Sequence, residues 1–324
     1  MTTEGKEIIL NAEHLCKYFK LSRKEILKAV DDVSFCVYKR ETLGVVGESG
    51  CGKSTLGRCL VHLYEPDSGN LLYHNQPIRE LKTKSQKLQF CKNVQMIFQN
   101  PYASLNPRMT VKEVVEEGIK IHSDMNASER EEKVLFLLEK VGLGKEHISR
   151  FAHEFSGGQK QRIGIARALS VDPEFIVCDE PISALDVSIQ AQVINMLREL
   201  QEDMGLTYLF IAHDLNVVKY ISDRILVMYL GNVVEIADSD ELYKNPLHPY
   251  TQMLLSAIPV ADPILAHKNK EIPIQGEITS PINPKPGCKF AGRCPYAMEV
   301  CHEVTPQLKE IDSGHQAACH LYSS

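Results

Sequence analysis

The chain has 324 residues, 44% hydrophobic, 24% charged and 7% aromatic, which excludes a disordered, fibrous or small disulfide-stapled protein and allows one large domain with a substantial appendage. Thirty-six Lys and Arg against 42 Asp and Glu give a net charge of -6, so there is no global basic field to hold nucleic acid or anionic lipid. The opening MTTEGKEIIL lacks a basic start followed by an apolar stretch, and no run of about 18 apolar residues occurs; the expectation is a chain neither exported nor membrane-spanning by itself. Ten cysteines in such a chain meet a reducing cytosol, where clustered thiols more often bind metal than pair. Six of them lie singly in the first 178 residues.

In chain order, EIILNAEHL and ETLGVVG read as strands, and SIQAQVINMLRELQEDMG as a helix, a pattern of strands and crossover helices around a mostly parallel sheet. Between them, residues from about Val111 to Val141 carry apolar residues at helical spacing with dense charge between, which predicts an inserted helical subdomain. From Pro246 to Pro286 eight prolines and little helical periodicity mark a boundary. No internal repeat or low-complexity tract occurs, which excludes solenoids and arrays.

The segment TLGVVGESGCGKSTLGRCL runs from an apolar strand through Gly47, Glu48, Ser49, Gly50, Cys51, Gly52, Lys53, Ser54 and Thr55 into a helix and fits the phosphate-binding P-loop. Glycines let backbone N–H groups curl around an anion, and the helix points its positive dipole end at the same phosphates. Lys53 would reach the terminal phosphates, Ser54 would ligate magnesium and Thr55 would add a hydroxyl near the α-phosphate. Cys51, at a variable loop position without a histidine partner pattern, reads as a small side chain sensitive to thiol reagents, not as a nucleophile.

Downstream, PEFIVCDEP is an apolar strand ending in Asp179 and Glu180. Asp179 can hold the magnesium through water, while Glu180 can polarise the water that attacks the γ-phosphate. Just before it, FSGGQKQRIGIARAL gives a polar turn of Ser156, Gly157, Gly158 and Gln159 opening a helix with a basic face from Lys160, Arg162 and Arg167.

Together these segments resemble the nucleotide-binding subunits of ATP-binding cassette (ABC) transporters, SGGQ between the two nucleotide motifs being the specific part. The resemblance covers nearly the whole chain. Gln99 in MIFQNP sits where the family has its Q-loop, Ser183, Ala184, Leu185 and Asp186 match the D-loop, and His213 in FIAHDL matches the switch histidine. Phe19 resembles the aromatic that stacks on adenine, with Tyr18 the neighbouring alternative. Phe155 in place of Leu and Ile182 in place of Thr depart from the pattern without removing a catalytic group.

The resemblance implies an α/β P-loop NTPase core with an antiparallel β subdomain, an inserted helical subdomain over about 100–168 and a Cys-containing C-terminal extension, divided as a nucleotide-binding domain over 1–258 and the extension over 259–324. It implies an ATP hydrolase in which two cassettes close head to tail, Ser156, Gly157, Gly158 and Gln159 of one capping the nucleotide on the other and Asp186 linking the halves. Glu180 would orient the attacking water, His213 would bond the γ-phosphate, and Gln99 would ligate Mg2+ with Ser54 and Asp179.

Two further stretches, FQNPYASLNPRMTV and GCKFAGRCPYAMEVC, resemble the ATP-binding subunits of oligopeptide and dipeptide importers. The first would receive a permease helix near Pro101, Tyr102 and Pro107. The second begins a set, Cys288, Cys294, Cys301 and Cys319, spaced by five, six and seventeen residues, unlike the paired spacing of common zinc fingers. Four thiols within 32 residues predict a shared metal or cluster site; zinc competes, and the resemblance implies a four-iron four-sulfur cluster. The resemblance also implies two integral permease subunits, a second cassette as homo- or heterodimer, an extracytoplasmic solute-binding protein and a peripheral place at the cytoplasmic face of the cell (inner) membrane, with no nucleic-acid partner. Import of nickel chelates or other small solutes is the nearest alternative. A soluble cassette acting on DNA or ribosomes fits less well, because those usually carry two cassettes or a long coiled coil. A kinase or GTPase is opposed by SGGQ and by the absence of Asn-Lys-x-Asp.

Overall fold

The computed structural model describes residues 6–258 and 280–322, so most of the proline-rich stretch expected as a boundary lies outside the described residues. The chain divides into two compact units, residues 1–77 with 212–324 and residues 78–211. Through residue 77 the first unit contains β1 (Ile8–Lys20), β2 (Ile26–Tyr38), β3 (Thr42–Val46), α1 (Lys53–Leu60), β4 (Ser68–Tyr73) and β5 (Gln76–Pro77). The second unit runs α2 (Lys84–Asn93), β6 (Val94–Ile97), α3 (Pro101–Ser104), α4 (Val111–His122), α5 (Ala127–Lys140), α6 (Gly157–Leu169), β7 (Phe175–Asp179), α7 (Val187–Met204) and β8 (Thr207–Ile211). The first unit resumes with α8 (Leu215–Ile221), β9 (Arg224–Tyr229), β10 (Asn232–Asp238), α9 (Ser239–Lys244), α10 (Pro249–Ser256), α11 (Glu299–Glu303), β11 (Lys309–Asp312) and β12 (His315–Ala317).

In the first unit, β2, β1, β4 and β5 form an antiparallel sheet in that order, with Ala12 opposite Phe35 on one side and Leu71 on the other. Val33, Phe35 and Val37 are buried while the residues between them are half-buried, the alternation of a sheet with one covered face. β3 pairs in parallel with β9, Gly44 opposite Ile225, and β10, β12 and β11 continue antiparallel from β9. All five β3 residues are buried, so the P-loop begins from a strand that cannot move without disturbing the core.

The second unit contains three parallel strands, β6, β7 and β8, with Cys178 opposite Ile97 on one side and Phe210 on the other. Every residue of β7 and β8 is buried, as their continuous apolar runs require. The helices α4, α5 and α6 bury Val114, Val115, Ile119, Val134, Leu137 and Ile163, the apolar stripes that the spacing predicts. Each starts with a capping box: Thr110 with Glu113, Asn126 with Glu129 and Ser156 with Gln159. The basic face expected on α6 is instead tied down. Lys160 and Arg167 are directed to the carbonyls of Phe155 and Ser104, and Arg162 to Val141 O and Gln192.

The proline-rich stretch also departs from expectation, because α10 lies inside it. Pro249 occupies the first turn, where its missing N–H costs nothing, and the His248 ring accepts the Tyr250 N–H at 3.0 Å as the cap. Residues 280–322 pack onto the first unit: Ile282 bridges Leu27, and β12 extends β10 with Glu235 opposite Ala317. The buried Glu235 carboxylate anchors this junction, bonding His315 Nε2 at 2.7 Å and accepting the N–H groups of Leu247 and His248 at 2.8 and 2.9 Å. Among the described residues no helix is long and apolar enough to cross a membrane.

Candidate functional site

Two glycines set the shape of the P-loop. Gly47 has φ 153°, and a Cβ there would stand 2.2 Å from Met228 O; Gly52 has φ 108°, and a Cβ there would stand 1.9 Å from Ala29 O. Any side chain would therefore push the loop off its frame. Gly52 is also the N-cap of α1 and brings no capping side chain, so the first turn of the helix presents backbone N–H groups of the kind that hold phosphate. Lys53 is buried and donates to Gly47 O at 2.8 Å and Glu48 O at 3.1 Å, closing the loop on itself. Ser49 and Gly50 at the tip are exposed, and Ser54 and Thr55 are half-buried.

The Cys51 side chain is 2% exposed, and burial pushes its thiol up from the ordinary range. This corrects the expected sensitivity to thiol reagents, since the reactive thiolate is both shielded and disfavoured. Glu48 is held at both ends: its N–H donates to Tyr250 Oη at 2.8 Å, and its carboxylate accepts from both terminal nitrogens of Arg293 at 3.0–3.1 Å.

Elsewhere in the first unit, Phe19 on β1 is half-buried with Tyr64 edge-on at 5.6 Å, while the Tyr18 hydroxyl is committed to Asp31 at 2.6 Å. His213 is exposed just beyond Ala212, whose N–H bonds Val45 O in the strand leading to the P-loop. Asp214 next to it caps α8 through the N–H of Asn216 at 2.8 Å.

In the second unit, Asp179 ends β7 in full burial and Glu180 follows, half-buried, with φ 44°. Holding a glutamate in the left-handed region costs on the order of 1–3 kcal/mol, a strain met at functional sites. The conformation is over-determined: Glu180 N donates to Ile211 O at 3.0 Å, and Glu180 O accepts from Ser183 Oγ at 3.1 Å. Its carboxylate accepts from Gln99 Nε2 at 2.7 Å, which joins two residues 81 positions apart. Ser156 and Gln159 are mutually bonded at the start of α6, with Gly157 and Gly158 half-buried between them. Ser183, Ala184 and Leu185 form the turn into α7, and exposed Asp186 is its N-cap residue.

The four C-terminal cysteines are neighbours: Cys288 N donates to Cys301 O at 2.7 Å, and burial followed by the nearby thiols of Cys301, Cys319 and Cys294 pushes Cys288 up to about 11. Burial likewise raises Cys294 and Cys319. Among the described residues no group of three or more His, Cys, Asp or Glu is placed to hold a metal ion. The expected four-iron four-sulfur or zinc site therefore finds no support in this arrangement.

Arg293, Lys289 and Tyr250 carry no local sequence signal of a role; Lys289 and Arg293 lie in the same GCKFAGRCP stretch, where the thiols are the conspicuous residues.

The glycine-shaped anion loop of the first unit marks a P-loop nucleotide-binding protein. Residues 30–183 match the ABC transporter family, and residues 234–301 match the oligopeptide/dipeptide transporter C-terminal region. The chain is 56% identical to the putative oligopeptide transport ATP-binding protein YkfD of Bacillus subtilis, over 97% of this chain and 95% of that one. It is 52% identical to the oligopeptide transport ATP-binding protein AppF of the same organism, over the whole of both chains. Among solved structures, the dimeric ATP-binding cassette MJ0796 bound to ADP and Pi superposes with a TM-score of 0.65 at 27% identity, covering 71% of this chain and 98% of that one. The chain therefore belongs to the ATP-binding subunits of the ABC transporter family, in the branch that carries the oligopeptide/dipeptide C-terminal region, and it is an ATP hydrolase.

Proposed function

We propose that this chain hydrolyses ATP to energise import of di- and oligopeptides, as a peripheral subunit at the cytoplasmic face of the cell membrane. The observation that supports this reading above others is the presence, on one chain, of the ABC cassette and the oligopeptide/dipeptide C-terminal region. In functional terms we divide the chain into a nucleotide-binding domain over 1–258, with its helical part over about 100–168, and an extension over 259–324. Its partners are two integral permease subunits, a second cassette and, indirectly, an extracytoplasmic solute-binding protein that selects the peptide.

In this reading the N–H groups of Gly47 to Thr55 cradle the phosphates and Lys53 exchanges its loop carbonyls for phosphate oxygens. Phe19 stacks on the adenine. Mg2+, entering with ATP, supplies charge neutralisation and would be held by Ser54, Gln99 and Asp179, an all-oxygen donor set that suits it. Glu180 orients the attacking water, and its bond to Gln99 ties that carboxylate to the loop facing the permease. His213 supports the γ-phosphate, while Ser156, Gly157, Gly158, Gln159 and Asp186 act on the opposed cassette.

The test is affinity purification of tagged Glu180→Gln from detergent-solubilised native membranes with ATP and Mg2+, followed by mass spectrometry. Glu180→Gln keeps nucleotide binding and blocks turnover, so ATP should hold the complex closed. Two multi-spanning proteins and a second cassette are expected, with a genetically linked binding protein that retains peptides. A binding protein that retains metal chelates, or recovery of ribosomes with no membrane protein, would refute the peptide-import reading.

A further inference from the structure

Arg293 is 5% exposed and sits between Cys288 and Cys294, 245 residues from the loop it touches. Its two terminal nitrogens reach Glu48 Oε1 at 3.1 Å each, one of them also reaching Oε2 at 3.0 Å. Tyr229 Oη lies at 3.4 Å and Met253 Sδ at 3.9 Å from the same guanidinium, and the rings of Tyr229 and Phe290 flank it. A rigid fork in an aromatic socket fixes a carboxylate in direction as well as distance.

Glu48 is an awkward residue in a loop that receives phosphate, because a carboxylate repels the anion its neighbours are shaped to bind. The loop's own lysine does not answer that charge: Lys53 Nζ donates to the carbonyls of Gly47 and Glu48, not to the Glu48 carboxylate. The cation that does is Arg293. Meanwhile Tyr250 Oη takes the Glu48 N–H, so side chain and backbone of one loop residue are both fixed from the C-terminal part of the first unit.

We propose that Arg293 is a positioning residue of the nucleotide site that acts through Glu48: paired with that carboxylate, it cancels the negative charge that the loop carries into the site. The inference rests on the nucleotide-binding reading of that loop. It gives the C-terminal extension a part in ATP binding.

The experiment measures the equilibrium Kd for ATP of the full chain, by titration calorimetry, for the native protein and for Arg293→Gln, Glu48→Gln, the double variant, Arg293→Lys and Lys53→Ala. Removing the arginine leaves the carboxylate uncompensated, so Arg293→Gln should raise Kd about tenfold. Removing the carboxylate leaves a cation facing the phosphates, so Glu48→Gln should lower Kd about threefold. The double variant should lie closer to the native protein than Arg293→Gln does, and Arg293→Lys should lose less than Arg293→Gln. A purely structural tie would make both single variants weaken ATP binding. A Glu48→Gln Kd at or above the native value therefore overturns the inference, even should Arg293→Gln fail to fold. A native Kd in folded Arg293→Gln, alongside lost binding in Lys53→Ala, overturns it equally while leaving the nucleotide reading intact. Full ATP affinity in Lys53→Ala would remove that reading itself.

Discussion

Acidification should loosen α10 through one histidine. His248 is 1% exposed, caps α10 by accepting the Tyr250 N–H on Nδ1, and donates its own backbone N–H to Glu235. Burial pushes its ring down from the ordinary 6.5 to about 4, against a smaller opposing pull from Glu235. Because the folded value is depressed for a base, the fold favours the neutral ring; the resulting stability is fully present above the unfolded value and is lost as pH falls from 6.5 towards 4. Protonation would also remove the acceptor that caps the helix and place a positive charge at its N-terminus. Between pH 7 and pH 5 the unfolded ring becomes almost fully charged while the folded ring stays mostly neutral, a loss of about 2 kcal/mol. The assay is hydrogen exchange of α10 peptides at the two pH values, corrected for intrinsic rates, in the native protein and in His248→Asn. Asparagine keeps a capping acceptor and does not titrate. Protection of α10 should fall about thirtyfold more in the native protein than in the variant. An equal fall in both proteins would refute the assignment of the pH dependence to His248.

Gly52→Ala should abolish ATP binding and destabilise the first unit, since its Cβ would stand 1.9 Å from Ala29 O at a φ of 108°; calorimetric titration with ATP checks this, and near-native affinity would contradict the loop geometry. Alkylation by iodoacetamide, followed by peptide mass spectrometry, should modify exposed Cys91 well before buried Cys51. Glu235→Ala strips three partners from a buried junction, leaving His315 and two N–H groups unsatisfied, and should cost about 3–5 kcal/mol. Limited proteolysis should then cut residues 280–322 first, and unchanged resistance would show that β12 docks without this carboxylate.

The nucleotide loop was legible because its chemistry is local. Gly47 to Thr55 are contiguous, and strand, glycines, lysine and helix must follow one another in that order to hold phosphate. β7 was legible for a similar reason, its continuous apolar run ending in two carboxylates. The left-handed Glu180 was not, because its φ is set by partners at Ser183 and Ile211 that no local pattern announces. α10 is hidden in the sequence because proline suggests a breaker, whereas at the first turn of a helix it is compatible with the fold. The basic residues of α6 mislead in the opposite way: their spacing describes a charged face, but backbone carbonyls of Phe155 and Ser104 take up the donors of Lys160 and Arg167.

The GCKFAGRCPYAMEVC stretch illustrates why residue type can outrun residue role. Cysteines at close spacing draw attention because metal chemistry needs them, and the fold does gather Cys288, Cys294, Cys301 and Cys319 into mutual electrostatic range. Yet the stretch reaches other parts of the first unit with its ring and its two cations: Phe290 packs on Tyr229 and Tyr250, Lys289 meets Asp31 at 3.0 Å and Arg293 meets Glu48. A long cation can place its charge deep in another element while its own backbone stays in a turn, so its partner is invisible to spacing. The acidic partners were equally mute: Asp31 lies on β2, and Glu48 occupies a loop position where many side chains are compatible with phosphate binding. Opposite charges 245 residues apart in sequence become a pair only once β9 and α10 have set Tyr229 and Tyr250 around them. The extension thus reaches the nucleotide site through an ion pair that the completed fold creates, and substitutions at Tyr229 or Tyr250 should alter ATP affinity without touching the P-loop sequence.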